Sequence, residues 1–488
     1  MSGSHVGSRM SGSHVAASAP RASPSLALAA VSLTAFFVGL SSTMLSVAVP
    51  AIVRHFQAGA LEAVFVILAP SVTSTALMLS MGRIGDLVGR RNVYLVALGA
   101  FTVASLLAAV APSVWLLIAL EACQAIGIAA IWANNAALVL ELVPESRANH
   151  ALGLYFASVS VAQLIGPSVG GAIASAAGWR WIFLLSAPVG ILSLLACRAV
   201  LPGGTRPQRG RPVDLPGNIL VLIGLAGLIT SLSISQTSGW LAPPVIGGAA
   251  AAAALLAGFA VRELRIRDPL LDLRIFADRS LSLAMASACA NAMAQWSPVL
   301  LMVLYFQAVL GDSALNAGLS ITPLPVASVL AAVSAGRLAR LLRPDTLAVV
   351  GSGLAFAGIA LLAVTIGGGY PAILVALALI GLGGGIFGPA NANVVMSRGP
   401  RVSGGVINGA RLMLSEVSYL VSTTVVLGIV TAPLAAGLRR QFYAGTASRV
   451  SHAVAMELLT GYKHAILVLA ALAFVGTITA FISRTRRA

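Results

Sequence analysis

Three ionisable side chains lie inside long apolar stretches of this sequence: Glu121, Arg411 and Glu416. An ionised carboxylate in a hydrocarbon environment costs at least a few kcal/mol, so a carboxyl group there favours its protonated form and can carry a proton. Glu121 is therefore the first candidate for proton or cation recognition, and Glu416 is the second. Each also has a structural interpretation: nearby amides and hydroxyls could satisfy Glu121, Glu416 could pair with Arg411, and Arg411 could snorkel.

The segment Gly82-Arg-Ile-Gly-Asp-Leu-Val-Gly-Arg-Arg91 places an acid and two arginines in a very short connection between apolar runs. Asp86 can bridge the neighbouring arginines Arg90 and Arg91 or cap a helix N-terminus. Such a clasp between helices can open and close. The alternative, a tight loop whose arginines only set orientation, explains the charges but not the spacing of Gly82, Asp86 and Gly89.

The composition indicates that these residues lie in a membrane protein. Of 488 residues, 58% are hydrophobic and 9% are charged, and the mean hydropathy is +0.96. A soluble domain carries about 25% charged residues. The net charge of +16 comes from basic residues in short loops and not from one face of a soluble domain, which argues against nucleic-acid binding.

The sequence gives little support for metal binding, ATP hydrolysis or dinucleotide binding. The cysteines Cys123, Cys197 and Cys289 lack metal-ligand spacing, and we interpret them as small core residues, with no metal or cofactor. The single lysine, Lys463, excludes a Walker A loop, and with it ATP-driven pumping by this chain. Residues 383–388 match GxGxxG inside an apolar run, which favours close helix packing over dinucleotide binding. We expect no enzyme activity.

Fourteen apolar runs are long enough to span a bilayer, since a span needs about 20 mostly apolar residues. Residues 1–25 repeat MSGSHV and are predicted to be a disordered tail, not a cleaved leader, because the first run can span. The predicted spans are 26–49, 61–81, 92–111, 114–140, 150–175, 181–200, 215–236, 241–261, 281–310, 317–336, 345–366, 371–396, 404–432 and 464–483.

Basic residues support this count and set an orientation. An even count puts both termini on one side, and with that side inside, 23 of the 30 Arg and Lys residues are inner, 6 are outer and Arg411 is within a span. Most outer charges fall in a predicted long outer loop, 433–463. We therefore predict cytoplasmic termini. Four tryptophans lie near predicted outer interfaces: Trp115, Trp179, Trp181 and Trp240.

The segment 82–91 resembles the GxLaDrxGrr motif of the major facilitator superfamily. The residues that depart from the pattern are Ile84 and Leu87. The residues that match are Gly82, Asp86, Gly89, Arg90 and Arg91. Residues 336–340 resemble a degraded second copy, in which Arg340 replaces the acid. A second clasp is therefore expected to be weak or absent.

A further segment resembles the GxxxGPxxGG motif of antiporters, with Ala162 in place of the first glycine. Gly166, Gly170 and Gly171 would let a neighbouring backbone approach closely, and Pro167 would bend the helix. Ordinary packing of helices through small residues is the alternative.

Nearly the whole chain beyond residue 25 is similar to the fourteen-span branch of drug:proton antiporters. The resemblance implies an all-α membrane fold of two six-helix bundles with nested inverted repeats, two inserted helices, and substrate bound near the midplane. It rests further on Asp214-Leu-Pro-Gly217, Gly239-Trp240, Asp268–Phe276 and Ala317–Pro323. The implied domains are 26–200, 201–279 with its linkers, and 280–488.

Two departures from this branch bear on mechanism. An acid usually stands nine residues before the Ala-x-Pro that ends the first span, here residues 48–50, and that position holds Ser41. An arginine usually stands three residues before Gln-Gly in the fourth span, where this chain has Glu121 before Gln124. Proton coupling would therefore rest on Glu121, about 7 Å outward of the midpoint of its span, or on Glu416.

The resemblance places spans 1, 4, 9 and 12 around a cavity, although several of its amides could instead join helices. A largely neutral cavity with one or two acids suits an apolar neutral or cationic substrate and suits polyanions poorly. The predicted lining residues are Ser41, Thr43, Gln124, Asn134, Asn135, Asn291, Gln295, Trp296, Asn391 and Asn393.

Three functions are compatible with these features. The first is a proton-coupled exporter of drugs, antibiotics or related metabolites by alternating access. The second is an exporter or flippase of lipid-like molecules, and the third is a membrane sensor or scaffold without transport. We expect a monomer in a bacterial inner membrane, with small molecules, protons and lipids as partners.

Overall fold

The computed structural model describes residues 23–58, 60–202, 214–266, 269–312, 314–339, 341–399, 404–432 and 452–485. These residues form helices joined by short turns, as expected for an all-α membrane protein. Two short 3-10 helices, Glu145–Arg147 and Leu273–Ala277, precede α5 and α9. The α-helices are α1 (Pro24–Phe56), α2 (Ala60–Val88), α3 (Arg90–Ala109), α4 (Val114–Leu142), α5 (Ala148–Ala176), α6 (Arg180–Val200), α7 (Leu215–Ser238), α8 (Pro243–Arg265), α9 (Arg279–Ala308), α10 (Ala314–Ser320), α11 (Pro323–Leu338), α12 (Pro344–Thr365), α13 (Tyr370–Arg398), α14 (Gly404–Thr431) and α15 (His452–Thr485).

Helices occur at all fourteen predicted positions. Among the described residues, twelve segments are long and apolar enough to cross a membrane. Helices α2 and α7 are not among the twelve, and the apolar part of α7 is the shorter stretch Pro216–Leu232. The number fourteen therefore stays a prediction.

The ends of the chain differ from expectation. Helix α1 begins at Pro24, inside the tail predicted to be disordered, and Ser23 accepts a hydrogen bond from the backbone N–H of Leu26. The predicted outer loop 433–463 is helical from His452, because Leu458 and Tyr462 are buried in the core beside α9 and α13. The remaining parts of these two predictions, residues 1–22 and 433–451, lie outside the described residues.

The predicted tenth span is interrupted. It consists of the short helix α10 and the longer α11, with a turn at residues 321–322. Pro323 lacks an N–H and disfavours helical geometry in the residue before it, so a new helix begins at the proline.

The helices pack in two groups. In α1–α6, which we call the N bundle, α1 packs on α5 and α6, and α4 packs on α2 and α3. In α9–α15, the C bundle, α13 packs on α11 and α12, and α9 packs on α14 and α15. The predicted domains, 26–200, 201–279 and 280–488, stay predictions.

The inserted helices α7 and α8 form a hairpin beside the junction of the bundles. Helix α7 packs against α2 of the N bundle and α14 of the C bundle, and α8 packs on α7. Val221 and Leu225 of α7 share an apolar cluster with Met78 of α2 and Ile407 of α14. The hairpin therefore covers the line along which α2 meets α14.

Candidate functional site

The segment Gly82–Arg91 forms the end of α2, a turn and the start of α3. Gly89 has a φ of 101°, in the left-handed region that side chains with a Cβ avoid, and so allows α3 to begin directly after α2. Helix α14 starts at this same end of the molecule, which we call the motif end.

Asp86 joins the two bundles by capping α14. Its carboxylate oxygens accept hydrogen bonds from the backbone N–H groups of Gly405 and Val406, each at 3.0 Å. The first N–H groups of a helix lack intrahelical partners and carry the positive end of the helix dipole, so a carboxylate stabilises them. The side chain of Asp86 is only 2% exposed, so little water competes for these bonds.

The two arginines of the motif have different partners. Arg90 donates to Asp86 Oδ1 from Nε at 3.1 Å and from Nη2 at 2.7 Å, and its Nη1 donates to Glu141 at the end of α4. Arg91 donates to two backbone carbonyl oxygens at the C-terminus of α6. Arg90 thus completes the clasp, whereas Arg91 ties α3 to α6 within the N bundle.

Glycines let the backbones of α2 and α14 touch beside this clasp. A Cβ on Gly82 would collide with the carbonyl oxygen of Gly405, and one on Gly409 would collide with the backbone of Met78. The helices can be this close only because both positions lack side chains. Neither contact would survive a separation of the bundles at the motif end.

A second junction joins α5 to α11 and α13. Asn393 Nδ2 donates to Asn149 Oδ1 at 2.7 Å, and the hydroxyls of Ser160 and Ser328 lie 3.3 Å apart. A Cβ on Gly153 would press against the backbone of α11. Asn149, Gly153 and Asn393 lie, like the clasp, in the halves of their helices nearer the motif end.

The residues of the predicted antiporter motif all lie in α5: Gly166, Pro167, Gly170 and Gly171. Gly166 faces the hydroxyl of Thr43, and a Cβ on Gly170 would lie 2.7 Å from the Cα of Met44. The glycines therefore bring α5 against α1 within the N bundle. A role in antiport stays a prediction.

Polar side chains predicted to line a cavity mostly join helices of one bundle. Ser41 of α1 and Ser186 of α6 have their hydroxyls 3.1 Å apart, and Gln124 of α4 donates to Ser105 of α3 at 2.6 Å. Both pairs lie inside the N bundle and are buried. The interpretation of these side chains as links between helices is thereby favoured.

Two asparagines of α4 lie nearer the junction of the bundles. Asn134 donates to the carbonyl oxygen of Met81 at 3.1 Å, and its own oxygen has no hydrogen-bond donor among the described residues. Asn135 donates weakly to the hydroxyl of Tyr155, at 3.5 Å. Asn134 lies between α2 and α14 beside the clasp, because its oxygen is close to where a Cβ on Gly405 would lie.

Most C-bundle residues of the predicted cavity likewise form hydrogen bonds with other residues of their own bundle. Asn291 donates to Ser352 of α12 at 2.9 Å and accepts from Gln295 at 3.0 Å, and Asn391 donates to a carbonyl oxygen of α9 at 2.9 Å. Trp296 of α9 is 45% exposed. Of these four, Trp296 has the most accessible surface.

Glu121 is buried without a hydrogen-bond partner. It is 0% exposed, and neither carboxylate oxygen has a donor among the described residues. Leu117, one turn earlier, packs against α1, α3 and α6, and Gln124, nearly one turn later, bonds to α3. Glu121 therefore faces the interior of the N bundle, and the hydroxyl of Ser41 is engaged elsewhere.

The charges of α14 do not pair with each other. Arg411 is 7% exposed and donates from Nη2 to Asn408 at 3.0 Å, while its Nε has no acceptor among the described residues. Among the described residues, no carboxylate makes a salt bridge to Arg411, and this includes the carboxylate of Glu416. Arg411 is thus enclosed and does not snorkel to an interface.

Sequence reasoning missed an ion pair at the motif end of the C bundle. Asp345, in the first turn of α12, pairs with Arg398, the last residue of α13, which also donates to carbonyl oxygens of α9 and α15. A second copy of the motif was sought at residues 336–340, where Gly336 packs against His150 of α5 and Arg340 lies outside the described residues. The sequence does contain one indication of this pair. An acid stands at the start of one helix and an arginine at the end of the next, where the helix dipoles favour them.

The inserted hairpin has its own ion pair. Asp214, preceding α7, accepts from Arg262 Nη2 at 2.8 Å and from its Nε at 3.0 Å. The Arg262 guanidinium holds the pKa of Asp214 below its usual value. The adjacent Glu263 accepts from the backbone N–H of Leu271 at 2.8 Å, so this corner joins α7, α8 and the linker to α9.

A small apolar pocket of about 100 Å³ lies between α1, α3, α5 and α6. Its lining is mostly aliphatic and aromatic, with Phe37 and Phe101 among the larger side chains. Ser41 and Ser186 contribute hydroxyls, as does Ser193, whose oxygen has no hydrogen-bond partner among the described residues. The pocket suits an apolar group with a small polar end.

Comparison with protein families gives one match that covers most of the chain. The model described as "Major Facilitator Superfamily" matches residues 31–423. Solved structures with this fold include the human organic anion transporter MFSD10 (TM-score 0.62, 15% identity, 92% of this chain and 99% of that one). The fucose:proton symporter FucP of E. coli gives a TM-score of 0.62 at 16% identity, over 94% of this chain and 99% of that one.

Several curated relatives are named for resistance or export. Multidrug resistance protein Stp of Mycobacterium tuberculosis (strain CDC 1551 / Oshkosh) is 28% identical over 85% of this chain and 78% of its own length. The methylenomycin A resistance protein of Streptomyces coelicolor is 30% identical over 71% of this chain and 74% of its own. The tetracenomycin C resistance and export protein of Streptomyces glaucescens is 26% identical over 86% and 78%.

Proposed function

The chain belongs to the Major Facilitator Superfamily of membrane transporters, and on that premise we propose that it exports small organic molecules in exchange for protons by alternating access. The names of the relatives, which include multidrug and antibiotic resistance proteins, support drugs or antibiotics as cargo. The arginine distribution supports an inner-membrane protein with its motif end in the cytoplasm.

The observation that carries this proposal is the clasp formed by Asp86 on the first N–H groups of α14. It joins the bundles at one end through polar bonds, which can break and re-form, and through glycine contacts with no interlocking side chains. With the motif end cytoplasmic, the described conformation is closed to the cytoplasm. Opening would release Asp86 and separate α2 from α14.

Glu121 is the proposed proton carrier. A buried carboxylate without a donor is strongly disfavoured in its charged form, so this conformation holds Glu121 protonated. Water entering as the bundles move would stabilise the carboxylate and allow the proton to leave. Glu416, which forms no salt bridge among the described residues, is the second candidate.

Proton entry supplies sufficient energy for export. One proton moving inward releases about 2.3 kcal/mol per 100 mV and about 1.4 kcal/mol per pH unit. Because 1.4 kcal/mol corresponds to a tenfold concentration ratio, each proton can sustain a substantial substrate gradient.

The test is transport in reconstituted vesicles with an imposed pH gradient, using a panel of neutral, cationic and anionic drugs. We expect uptake into inside-out vesicles to depend on the gradient, and Glu121→Gln to abolish that dependence. Glu457→Gln, at an exposed acid of α15, is the matched control. Unchanged coupling and pH dependence in Glu121→Gln would remove Glu121 from the proposal, and absence of flux for the whole panel would remove drug export.

A lipid-like substrate is the second candidate function, favoured by the apolar pocket between α1, α3, α5 and α6. A lipid exporter would move a fluorescent phospholipid between leaflets, and Ser193→Phe, which would fill the pocket, would stop it. The same variant would leave drug transport unchanged if the pocket is not on the drug pathway.

A further inference from the structure

Arg411 is a permanently charged side chain of α14 that forms no salt bridge with any carboxylate among the described residues. A guanidinium stays protonated in proteins, and this one is 7% exposed. Its Nη2 donates to Asn408, its Nε is enclosed without an acceptor, and no carboxylate of the described residues makes a salt bridge to it. A buried charge is normally paired, and the described residues leave room for a partner that this part of the chain does not supply.

The two acids of the membrane interior do not supply that partner. Glu416 lies five residues further along α14, a spacing that does not bring two side chains together on one helix. Glu121 is eleven residues before Trp132 on α4, about 16 Å along the helix axis, and Trp132 is at the level of Asn408.

Contacts from both bundles fix the position of Arg411. Asn408, which holds one guanidinium nitrogen, donates to the carbonyl oxygens of Trp132 at 3.1 Å and Ala133 at 2.9 Å in α4. Tyr155 of α5 is near enough to interact electrostatically with the guanidinium. The charge is thus held where α4 and α5 of the N bundle meet α14 of the C bundle.

This position lies just inside the clasp. Arg411 is seven residues after Gly404, the first residue of α14, which places it about 10 Å from the motif end along the helix. Opening the clasp would separate Asn408 from its acceptors on α4 and expose the guanidinium to the motif-end solution. Closing the clasp would enclose whatever the guanidinium had bound.

We propose that Arg411 binds the anionic group of the transported substrate, and that the substrate is an amphipathic organic acid with a single carboxylate. A guanidinium donates two parallel hydrogen bonds to a carboxylate. The Nε of Arg411, which has no acceptor among the described residues, would be one donor of such a pair once the clasp opens. The aromatic rings of Trp132 and Tyr155, whose centroids are 6.4 Å apart, would contact the apolar part. This inference rests on the proposed export function and replaces the neutral or cationic substrate expected from the sequence.

Binding to the full-length protein in nanodiscs tests this inference without any gradient. Decanoate, decanamide and decyltrimethylammonium share one apolar chain and differ in the charge of the head group. At pH 7.5 we expect decanoate to bind at least tenfold more tightly than the other two. Arg411→Gln should weaken decanoate at least tenfold and leave decanamide unchanged, because only the charged head loses its partner.

Two further variants separate charge from folding. Arg411→Lys keeps the charge without the planar donor pair, so it should fold and bind decanoate severalfold more weakly than wild type. Arg265→Gln, at an exposed arginine of α8, also removes one positive charge and should bind decanoate as wild type does. Equal weakening of all three probes in Arg411→Gln and Arg411→Lys would indicate a structural role and overturn the inference.

The same variants separate an organic acid from a lipid head group. Nanodiscs of phosphatidylcholine alone are compared with nanodiscs that contain phosphatidylglycerol. If phosphatidylglycerol stabilises wild type but not Arg411→Gln, and decanoate does not bind, the partner is a lipid phosphate and the proposed substrate is wrong. Gradient-driven transport of cationic drugs that is unchanged in Arg411→Gln would overturn the substrate class and leave the export function standing. Decanoate binding with no flux of any probe would overturn the export function and leave the anion-binding role of Arg411 standing.

Discussion

The motif ends of the two bundles carry ion pairs at matching positions but with opposite polarity. In the N bundle, Arg90 begins α3 and Glu141 lies in the last turn of α4. In the C bundle, Asp345 lies in the first turn of α12 and Arg398 ends α13. Helix dipoles favour an acid at a helix start and a base at a helix end. The C-bundle pair therefore agrees with both dipoles, whereas the N-bundle pair opposes both.

The two pairs also differ in burial and reach. The side chains of Asp345 and Arg398 are 8% and 5% exposed, whereas Glu141 is 35% exposed. Arg398 bonds only to helices of its own bundle in the contacts described above, while Arg90 supports Asp86, which caps a helix of the other bundle. The difference indicates that the C-bundle pair holds its bundle together and that the N-bundle pair belongs to a junction that opens.

The comparison predicts its largest effect at Asp345. Asp345→Asn leaves a buried guanidinium without this carboxylate, which costs about 3–5 kcal/mol of unfolding free energy. The midpoint of denaturant unfolding in detergent micelles measures the loss. The double variant Asp345→Leu with Arg398→Met should recover much of it, because it removes both charges. A loss below about 1 kcal/mol in the single variant would contradict the assignment of this pair to bundle stability.

Asp86→Asn should act on the junction and less on unfolding. It weakens the bonds to α14 and Arg90, and we expect about 3 kcal/mol against the closed form, about a hundredfold in the open-to-closed ratio. Maleimide labelling of Ala410→Cys, a buried position behind the clasp, reports opening in a background without the three native cysteines. Asp214→Asn is the matched control. Unchanged labelling with a lowered unfolding midpoint would make this site structural, like Asp345.

Gly82→Ala should open the same junction by steric means. Its Cβ would collide with the carbonyl oxygen of Gly405, and overpacking costs about 1–3 kcal/mol. Gly99→Ala in α3 is the control, since nothing lies within 4 Å of its added Cβ, and it should label like wild type. The labelling assay compares Gly82→Ala with Gly99→Ala. Equal labelling would show that α2 and α14 accommodate the added methyl group without separating.

The sequence predicted one side of the clasp and not the other. Gly82, Asp86 and Arg90 are recognisable because they lie within nine residues and their spacing is local. The partners of Asp86 are backbone N–H groups of Gly405 and Val406, more than 300 residues away, and a backbone donor leaves no mark in the sequence. Long-range pairs such as Asp345 and Arg398 escape for the same reason, unless the dipole preference at helix ends is used.

The sequence indicated the positions of the helices, but it carries little information on the directions of their side chains. Apolar runs near 20 residues mark the helices, and Pro323 could have indicated the break between α10 and α11. Ser41 and Gln124 were expected to line a cavity between the bundles, and in the structure their side chains contact Ser186 of α6 and Ser105 of α3 within the N bundle. A helix that is apolar on all sides has no periodicity to show which face meets protein, lipid or ligand.

The ion pair of the inserted hairpin should have the smallest effect, since it lies outside both bundles and Arg262 is 36% exposed. Asp214→Asn should cost about 1 kcal/mol or less. Because the pKa of Asp214 is lowered on folding, this contribution is present above the unfolded value near 3.9 and is lost as the pH falls through the folded pKa. Melting temperatures of wild type and Asp214→Asn should therefore differ at pH 7 and converge below about pH 4. A difference that persists in acid, or one as large as that of Asp345→Asn, would show that position relative to the bundles does not decide what an ion pair contributes.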